Sequence, residues 1–162
     1  MLARSGGPER PPLLAVNHAM LANLLLGTVV ITATVFIHTF GLIVVSRAIG
    51  WLTARFRLHG HRSRVLAMNS VVLGLLLVLS IEVWLWAAFY LLIGVADTFP
   101  TSLYLSTITF STVGYGDVVP NHDWRLFAAL EGINGFLLIG WSTAYLVAAG
   151  VRFGPFRTGE HF

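Results

Sequence analysis

The residues with the clearest chemistry lie in one short run, Thr109 to Asp117, which reads TFSTVGYGD. Gly114 and Gly116 lie two residues apart, and glycine adopts positive φ angles at little steric cost. This spacing lets consecutive carbonyl groups point the same way, which an ordinary β-strand does not allow. Such a row of oxygens can bind a cation in place of water. Because a Gly-x-Gly pair alone is more often a turn than a site, the surrounding elements decide its meaning.

An apolar, hydroxyl-rich segment at 99–110 precedes this run and is too short to cross a membrane. Thr98 can cap its first turn, and Pro100 lies where a missing N–H costs nothing. We predict a re-entrant half-helix over 99–110, followed by an irregular loop at 112–117. Irregular backbone at that depth is tolerated only where it is buried in protein or lines a water-filled path. The loop should therefore line a pore.

Composition places these elements in a membrane. The 162-residue chain is 56% hydrophobic and 10% charged, with a mean hydropathy of +0.79. This is more apolar surface than one soluble domain of this size needs to bury, and a span needs roughly 20 apolar residues. Stretches of that length occur at about 19–46, 66–96 and 126–151. We predict an all-α membrane protein in the lipid bilayer, with three transmembrane helices besides the half-helix and its loop.

The predicted segments follow from these stretches and from the charges between them. They are an N-terminal tail at 1–18, a first transmembrane helix at 19–50, a basic loop at 51–65, a unit at 66–152 with its last helix at 124–151, and a tail at 153–162.

Orientation follows from the ten arginines, since the chain has no lysine. The positive-inside rule places the basic loop at 51–65 in the cytoplasm, which puts the N-terminus outside and the C-terminus inside. Seven arginines are then cytoplasmic, against Arg4, Arg10 and Arg125 outside. The pI near 10 would suit a nucleic-acid partner only if these charges formed one exposed face, and their placement argues against it.

The run Thr109 to Asp117 resembles the selectivity-filter signature of the potassium channel family. It follows a capped half-helix, lies between two spans and is trailed by Pro120, as in that family. The resemblance covers roughly 66–152, the outer helix, pore helix, filter and inner helix of a minimal two-helix pore of bacterial ion channel type. The first transmembrane helix lies outside that unit.

The resemblance implies a potassium-selective channel that conducts K⁺ passively, with K⁺ as transported ion and no cofactor. The ion-binding residues would be Thr112, Val113, Gly114, Tyr115 and Gly116, with K⁺ held by the carbonyls of the first four and the Thr112 hydroxyl. One filter segment is one strand of a ring of four, so a homotetramer is implied. The implied location is a bacterial inner (plasma) membrane.

Residues around the filter can be interpreted by the same resemblance. Asp117 would give the outer mouth negative charge, and Tyr104 and Tyr115 would pack as an aromatic cuff. Ile108 occupies a position where some members have an acidic partner of the filter aspartate, so that coupling is absent here.

Gly135 and Gly140 align with a candidate gating hinge and a small packing residue of the inner helix. Because glycine in membrane helices is also common for packing alone, both interpretations stay open. The first span lacks the regularly spaced arginines of a voltage sensor, and the opening stimulus is not indicated.

The remaining polar groups lie inside the spans, where ionisable residues are costly. Depth counting makes Glu82 and Asn134 plausible partners and puts Glu131 level with the half-helix, where Ser106 or a neighbouring threonine could bond it. Each carboxyl is either a buried packing group or a part of pore electrostatics or pH gating. For His38 we expect packing or a local hydrogen bond rather than proton sensing.

Three other classes are less consistent with the sequence. A potassium transporter subunit joins four pore units in one chain, and a nonselective cation channel usually alters the Tyr115 position. An intramembrane hydrolase needs a serine and a histidine at matching depth, and no Gly-x-Ser-x-Gly elbow accompanies His38. We therefore predict a channel and not an enzyme.

Overall fold

The computed structural model of the protein describes residues 13–55 and 61–153, and every regular element within them is helical. The elements are α1 (Leu13–Arg55), α2 (His61–Leu92), α3 (Phe99–Phe110), a short 3-10 helix (His122–Trp124) and α4 (Arg125–Phe153). Within these residues, three stretches are long and apolar enough to cross a membrane: His18–Leu52, Arg64–Leu92 and His122–Arg152. The predicted fold class is confirmed.

The long helices extend past three predicted boundaries. α1 begins at Leu13, inside the predicted tail at 1–18, and residues 51–55 and 61–65 of the predicted loop are helical. The predicted loop limits were drawn where the apolar stretches end, whereas arginine is a good helix former, so both helices continue into the loop through Arg55, Arg62 and Arg64. The centre of the loop, 56–60, lies outside the described residues, as do 1–12 and 154–162.

α2 ends at Leu92, short of the predicted 96, because Gly94 reverses the backbone with a φ of 72°. The Val95 N–H donates to the Tyr90 carbonyl at 2.9 Å, and the Gly94 N–H donates to the Leu91 carbonyl at 3.3 Å. This pair of bonds is the Schellman motif, which satisfies the last carbonyls of a helix. The chain then turns back toward α3.

α3 has the bounds that the sequence predicts. Thr98 is extended, with φ −136° and ψ 149°, and its hydroxyl accepts a hydrogen bond from the Thr101 N–H at 3.4 Å. Pro100 lies in the first turn. The predicted cap is confirmed, and it starts a helix of 12 residues that is too short to span a membrane.

Three long helices pack against one another, and α3 packs between α2 and α4 without contacting α1. One buried cluster surrounds the end of α3 and includes Trp86, Tyr90, Phe110 and Phe127. The Phe127 ring lies 4.9 Å from the Trp86 ring and 5.7 Å from the Tyr90 ring, between centroids. This aromatic core fixes the position from which the loop at 112–117 starts.

Candidate functional site

The loop after α3 alternates in the sign of φ. Thr112, Gly114 and Gly116 have φ angles of 61°, 49° and 78°, and Val113 and Tyr115 between them have no positive φ. Such an alternation allows successive carbonyls to point toward one side, unlike the two-sided pattern of a β-strand. The positive φ predicted for both glycines is confirmed. The same conformation at Thr112 is uncommon for a residue with a Cβ, and the residue type gives no sign of it.

Main-chain hydrogen bonds tie the start of this loop to the last turn of α3. The Thr112 N–H donates to the Thr109 carbonyl and the Gly114 N–H to the Ile108 carbonyl, each at 3.0 Å. Ile108 and Phe110 are buried. The loop is therefore positioned by a helix end that is itself fixed in the core.

A side-chain hydrogen bond holds the other end of the loop. The Tyr104 hydroxyl donates to Asp117 Oδ2 at 2.7 Å. This bond keeps the pKa of Asp117 below its usual range and raises the pKa of Tyr104. The acidic partner missing at Ile108 is thus replaced by a tyrosine one turn earlier on α3. Sequence analysis missed this bond, because it assigned Tyr104 to packing.

The side chains of the loop are exposed in the single protomer. Tyr115 is 74% exposed and Val113 is 53% exposed. The aromatic cuff predicted for Tyr104 and Tyr115 is therefore not closed within one chain, and it stays a prediction for an assembly. A rigid loop that presents apolar side chains outward is typical of a surface that another protein chain covers.

Glu131 of α4 joins three helices. Its side chain is fully buried and accepts hydrogen bonds from Ser106 Oγ of α3 at 2.5 Å and from the Tyr90 hydroxyl of α2. Ser106 Oγ also lies 2.9 Å from the Val83 carbonyl. Of the partners that depth counting left open, Ser106 or a neighbouring threonine, the structure shows Ser106, and Tyr90 is a partner that depth counting missed. Both carboxyl oxygens are bonded, so the group is a saturated anchor for α3.

Gly135 lies one turn further along α4, against the last residue of α3. A Cβ at Gly135 would lie 2.7 Å from the Phe110 carbonyl carbon and 2.8 Å from its Cα, closer than real contacts allow. A Cβ at Gly140 would meet no atom within 4 Å. The structure thus gives Gly135 a close-packing role, and hinge motion at either glycine stays a prediction.

The predicted pairing of Glu82 with Asn134 is wrong. Glu82 Oε1 lies 2.9 Å from His38 Nδ1 of α1, and Asn134 Nδ2 donates to Thr34 Oγ1 at 2.9 Å. All four side chains are buried. Depth along a helix does not fix the direction in which a side chain points about the helix axis, and both polar groups face α1. The expected hydrogen bond of His38 is therefore one between helices.

Asn23 is a polar contact that sequence analysis missed. Its amide nitrogen donates to the carbonyls of Ala19 and Asp123, each at 2.7 Å, and its Oδ1 accepts from the Phe127 N–H at 2.8 Å. It therefore caps the first turn of α4 from α1. The available signal was its place on the buried stripe of α1 at helical spacing, with Val30, Thr34 and His38.

Comparison with known proteins agrees with this geometry. Residues 76–152 match the model of a family described as ion channel, which covers most of α2, all of α3 and the loop, and nearly all of α4. No curated protein and no solved structure matches the chain. The matched residues are similar to an ion channel domain, and three helices of the described chain are long and apolar enough to cross a membrane, which defines the class as an integral membrane protein. The match excludes α1, which packs against α2 and α4.

Proposed function

We propose that the protein is a subunit of a potassium-selective channel that conducts K⁺ passively. The observation that carries this proposal is the loop at 112–117, which follows a capped half-helix and alternates in the sign of φ. Its carbonyl oxygens at Thr112, Val113, Gly114 and Tyr115, with the Thr112 hydroxyl, are the proposed ligands of dehydrated K⁺. The Tyr104 to Asp117 bond and the Glu131 anchor hold the loop from two sides.

The proposed assembly is a homotetramer with the pore on its fourfold axis. One loop supplies one quarter of a ring of oxygens, and a closed ring of identical chains is the simplest arrangement that completes it. Two features of the protomer support it: the exposed loop side chains, and an apolar cleft of about 360 Å³ between α2, α3 and α4. A neighbouring subunit would cover both.

We further propose that the N-terminus lies outside a bacterial inner membrane and the C-terminus in the cytoplasm. The arginine bias around 51–65 supports this orientation. The chain has no cysteine, so introduced thiols report without background. An impermeant thiol reagent added outside should label Asn121→Cys but not His59→Cys, and external labelling at residue 59 would reverse the orientation.

Flux through reconstituted protein tests the proposed activity. Purified protein in liposomes should pass K⁺ at least about tenfold faster than Na⁺, since a difference of 1.4 kcal/mol in barrier is tenfold in rate. Gly114→Ala should abolish K⁺ flux, because alanine disfavours the φ of 49° at that position. A Cβ there meets no atom within 4 Å in the protomer, so the effect comes from the backbone and from narrowing of the ring.

Gly94→Ala is the matched control, because Gly94 also has a positive φ and open space around it but lies outside the loop. It should insert, assemble and conduct with unchanged selectivity. Wild-type flux in Gly114→Ala would place the pore elsewhere. Equal K⁺ and Na⁺ flux in the wild type would indicate a nonselective cation channel instead.

A further inference from the structure

One pair of ionisable groups takes no part in the proposed ion path. His38 Nδ1 of α1 and Glu82 Oε1 of α2 lie 2.9 Å apart, and both side chains are fully buried. Glu82 is ten residues from Leu92 at the end of α2, which places it about 15 Å inside the span at 1.5 Å per residue. The pair therefore lies deep in the membrane, where an ionisable group is a candidate functional site.

The hydrogen bonding of this pair is incomplete. Within the described part of the chain, His38 Nε2 and Glu82 Oε2 have no hydrogen-bond partner, and neither has Trp86 Nε1 one turn along α2. His38 and Glu82 thus each keep one atom that can gain or lose a proton while the hydrogen bond between the two side chains stays intact. Glu131, by contrast, has both oxygens bonded.

Among the described residues, His38 and Glu82 form an ion pair only with each other. From α4, the ring of Trp141 lies 5.2 Å from the His38 ring between centroids, and it does not titrate. Along α2 toward its C-terminal end, the next ionisable side chain is Tyr90, about 12 Å further at 1.5 Å per residue and bonded to Glu131. Tyr145 of α4 is bonded to Ser46. The only ionisable side chain of α3 is Tyr104, which is bonded to Asp117.

We propose that His38 and Glu82 form a proton-binding site that couples α1 to the ion channel domain, an inference that rests on the proposed function. When a neutral imidazole and a carboxylate share one added proton, the pair has no net charge. It is then either imidazolium with carboxylate or neutral imidazole with carboxylic acid. A second proton leaves a net positive charge in a low-dielectric interior, which is costly. Opening the contact between α1 and α2 to water relieves that cost. Because His38 also contacts Trp141 of α4, the same change reaches the helix that corresponds to the inner helix of the predicted pore.

K⁺ flux from liposomes held at equal pH on both sides tests the coupling. Flux should rise by roughly fivefold or more between pH 8 and pH 5, in line with typical coupling between sites and the range in which imidazole changes charge. His38→Gln should remove the response, and Glu82→Gln should do so independently. His18→Gln, an exposed histidine on the same helix, should respond like the wild type. A flat wild-type profile, or a response that survives in His38→Gln, overturns the coupling.

Tryptophan fluorescence tests the proton site without any flux. A protonated imidazole quenches the fluorescence of an indole that it contacts. The emission of Trp141, measured as the fluorescence of the wild type minus that of Trp141→Phe, should therefore fall as pH falls. His38→Gln should abolish this change. If Trp141 emission responds to pH through His38 in protein that passes no K⁺, the proton site stands and the proposed function fails. If the Trp141 signal does not titrate, the proton site is wrong whatever the flux.

Discussion

Two interfaces of the molecule each bury a carboxyl group but treat it differently. Where α4 meets α3, both oxygens of Glu131 are bonded to hydroxyls. Where α1 meets α2, one oxygen of Glu82 is bonded to His38 and the other has no partner among the described residues. A saturated buried group resists change, because loss of its polar atoms leaves the bonded donors unpaired. A half-satisfied group can change its charge with its bond intact.

Packing differs in the same sense. Gly135 brings α4 against the backbone of Phe110, which cannot move without moving the loop. Gly27 lies where α1 meets α4, and an added Cβ there would lie 2.5 Å from the Cδ1 tip of Leu130, with the Cβ and Cγ of that side chain at 3.6 Å. The contact of α4 with α3 is therefore fixed by main chain, whereas the contact of α1 with α4 can adjust by a side-chain rotation. We infer that α4 sets the geometry of the loop, whereas α1 can shift.

The largest expected effect comes from adding one methyl group at each of these two glycine contacts, α4 with α3 and α1 with α4. Gly135→Ala should destabilise the protein by about 3 kcal/mol and stop K⁺ flux, since overpacking against backbone cannot be relieved locally. Gly27→Ala should cost no more than about 1 kcal/mol, because Leu130 can rotate. Unfolding in mixed detergent, followed by circular dichroism, measures both. Equal losses in the two variants would break the contrast between a fixed and an adjustable interface.

Glu131 gives the next effect. Glu131→Leu should cost roughly 1–3 kcal/mol, because it leaves the Tyr90 hydroxyl without an acceptor. The ratio of K⁺ to Na⁺ flux should also fall, because α3 loses its anchor. Glu131→Gln keeps the shape and an acceptor, so both stability and conductance should survive.

The alternative role of Glu131, as a charge near the ion path, makes the opposite prediction for Glu131→Gln. Removal of four charges from a tetramer would lower conductance while the assembly stays intact, and the loss would shrink at high salt. A salt-dependent fall of single-channel conductance with an intact oligomer on a native gel would therefore replace the anchor with an electrostatic role.

The contrast between the interfaces also shows what the sequence could reveal. Local chemistry predicted the bounds of α3 from Thr98 and Pro100, and the φ angles of the two loop glycines. It also found Ser106 as a partner of Glu131. These three features depend on residues close together in the sequence, or only on how deep a residue lies along its helix.

Partners chosen by rotation about a helix axis could not be predicted in this way. Glu82 and Asn134 lie at compatible depths, yet each faces α1 and bonds a different residue there. The cap that Asn23 provides to α4 joins residues about 100 positions apart, and only the helix packing brings them together. The N- and C-terminal limits of the loop at 51–65 failed for another reason, because helix length need not match membrane thickness.

The smallest expected effect concerns an exposed hydrogen bond between a tyrosine and a carboxylate. Tyrosine donates to a carboxyl at Tyr90 and Glu131 in the core, and at Tyr104 and Asp117 on the surface, where solvent weakens the bond. Because the folded pKa of Asp117 is lowered, its contribution is present above the unfolded pKa and is lost as pH falls through the folded value. The raised pKa of Tyr104 adds a contribution that is complete below its own unfolded value, so the bond is intact at neutral pH.

Tyr104→Phe removes the donor and lets the Asp117 pKa return toward its ordinary value. Acid loss of K⁺ flux should then begin at a higher pH than in the parent, while flux at neutral pH changes little. The measurement belongs in the His38→Gln background, where the response proposed for the buried pair is absent. Tyr145→Phe, which removes the exposed hydroxyl bond to Ser46 near the other end of α4, should leave the acid limb unchanged. If the acid limbs of Tyr104→Phe and its parent superimpose, Asp117 does not control the loop at 112–117. The loop would then be held only by the buried interface of α3 with α4.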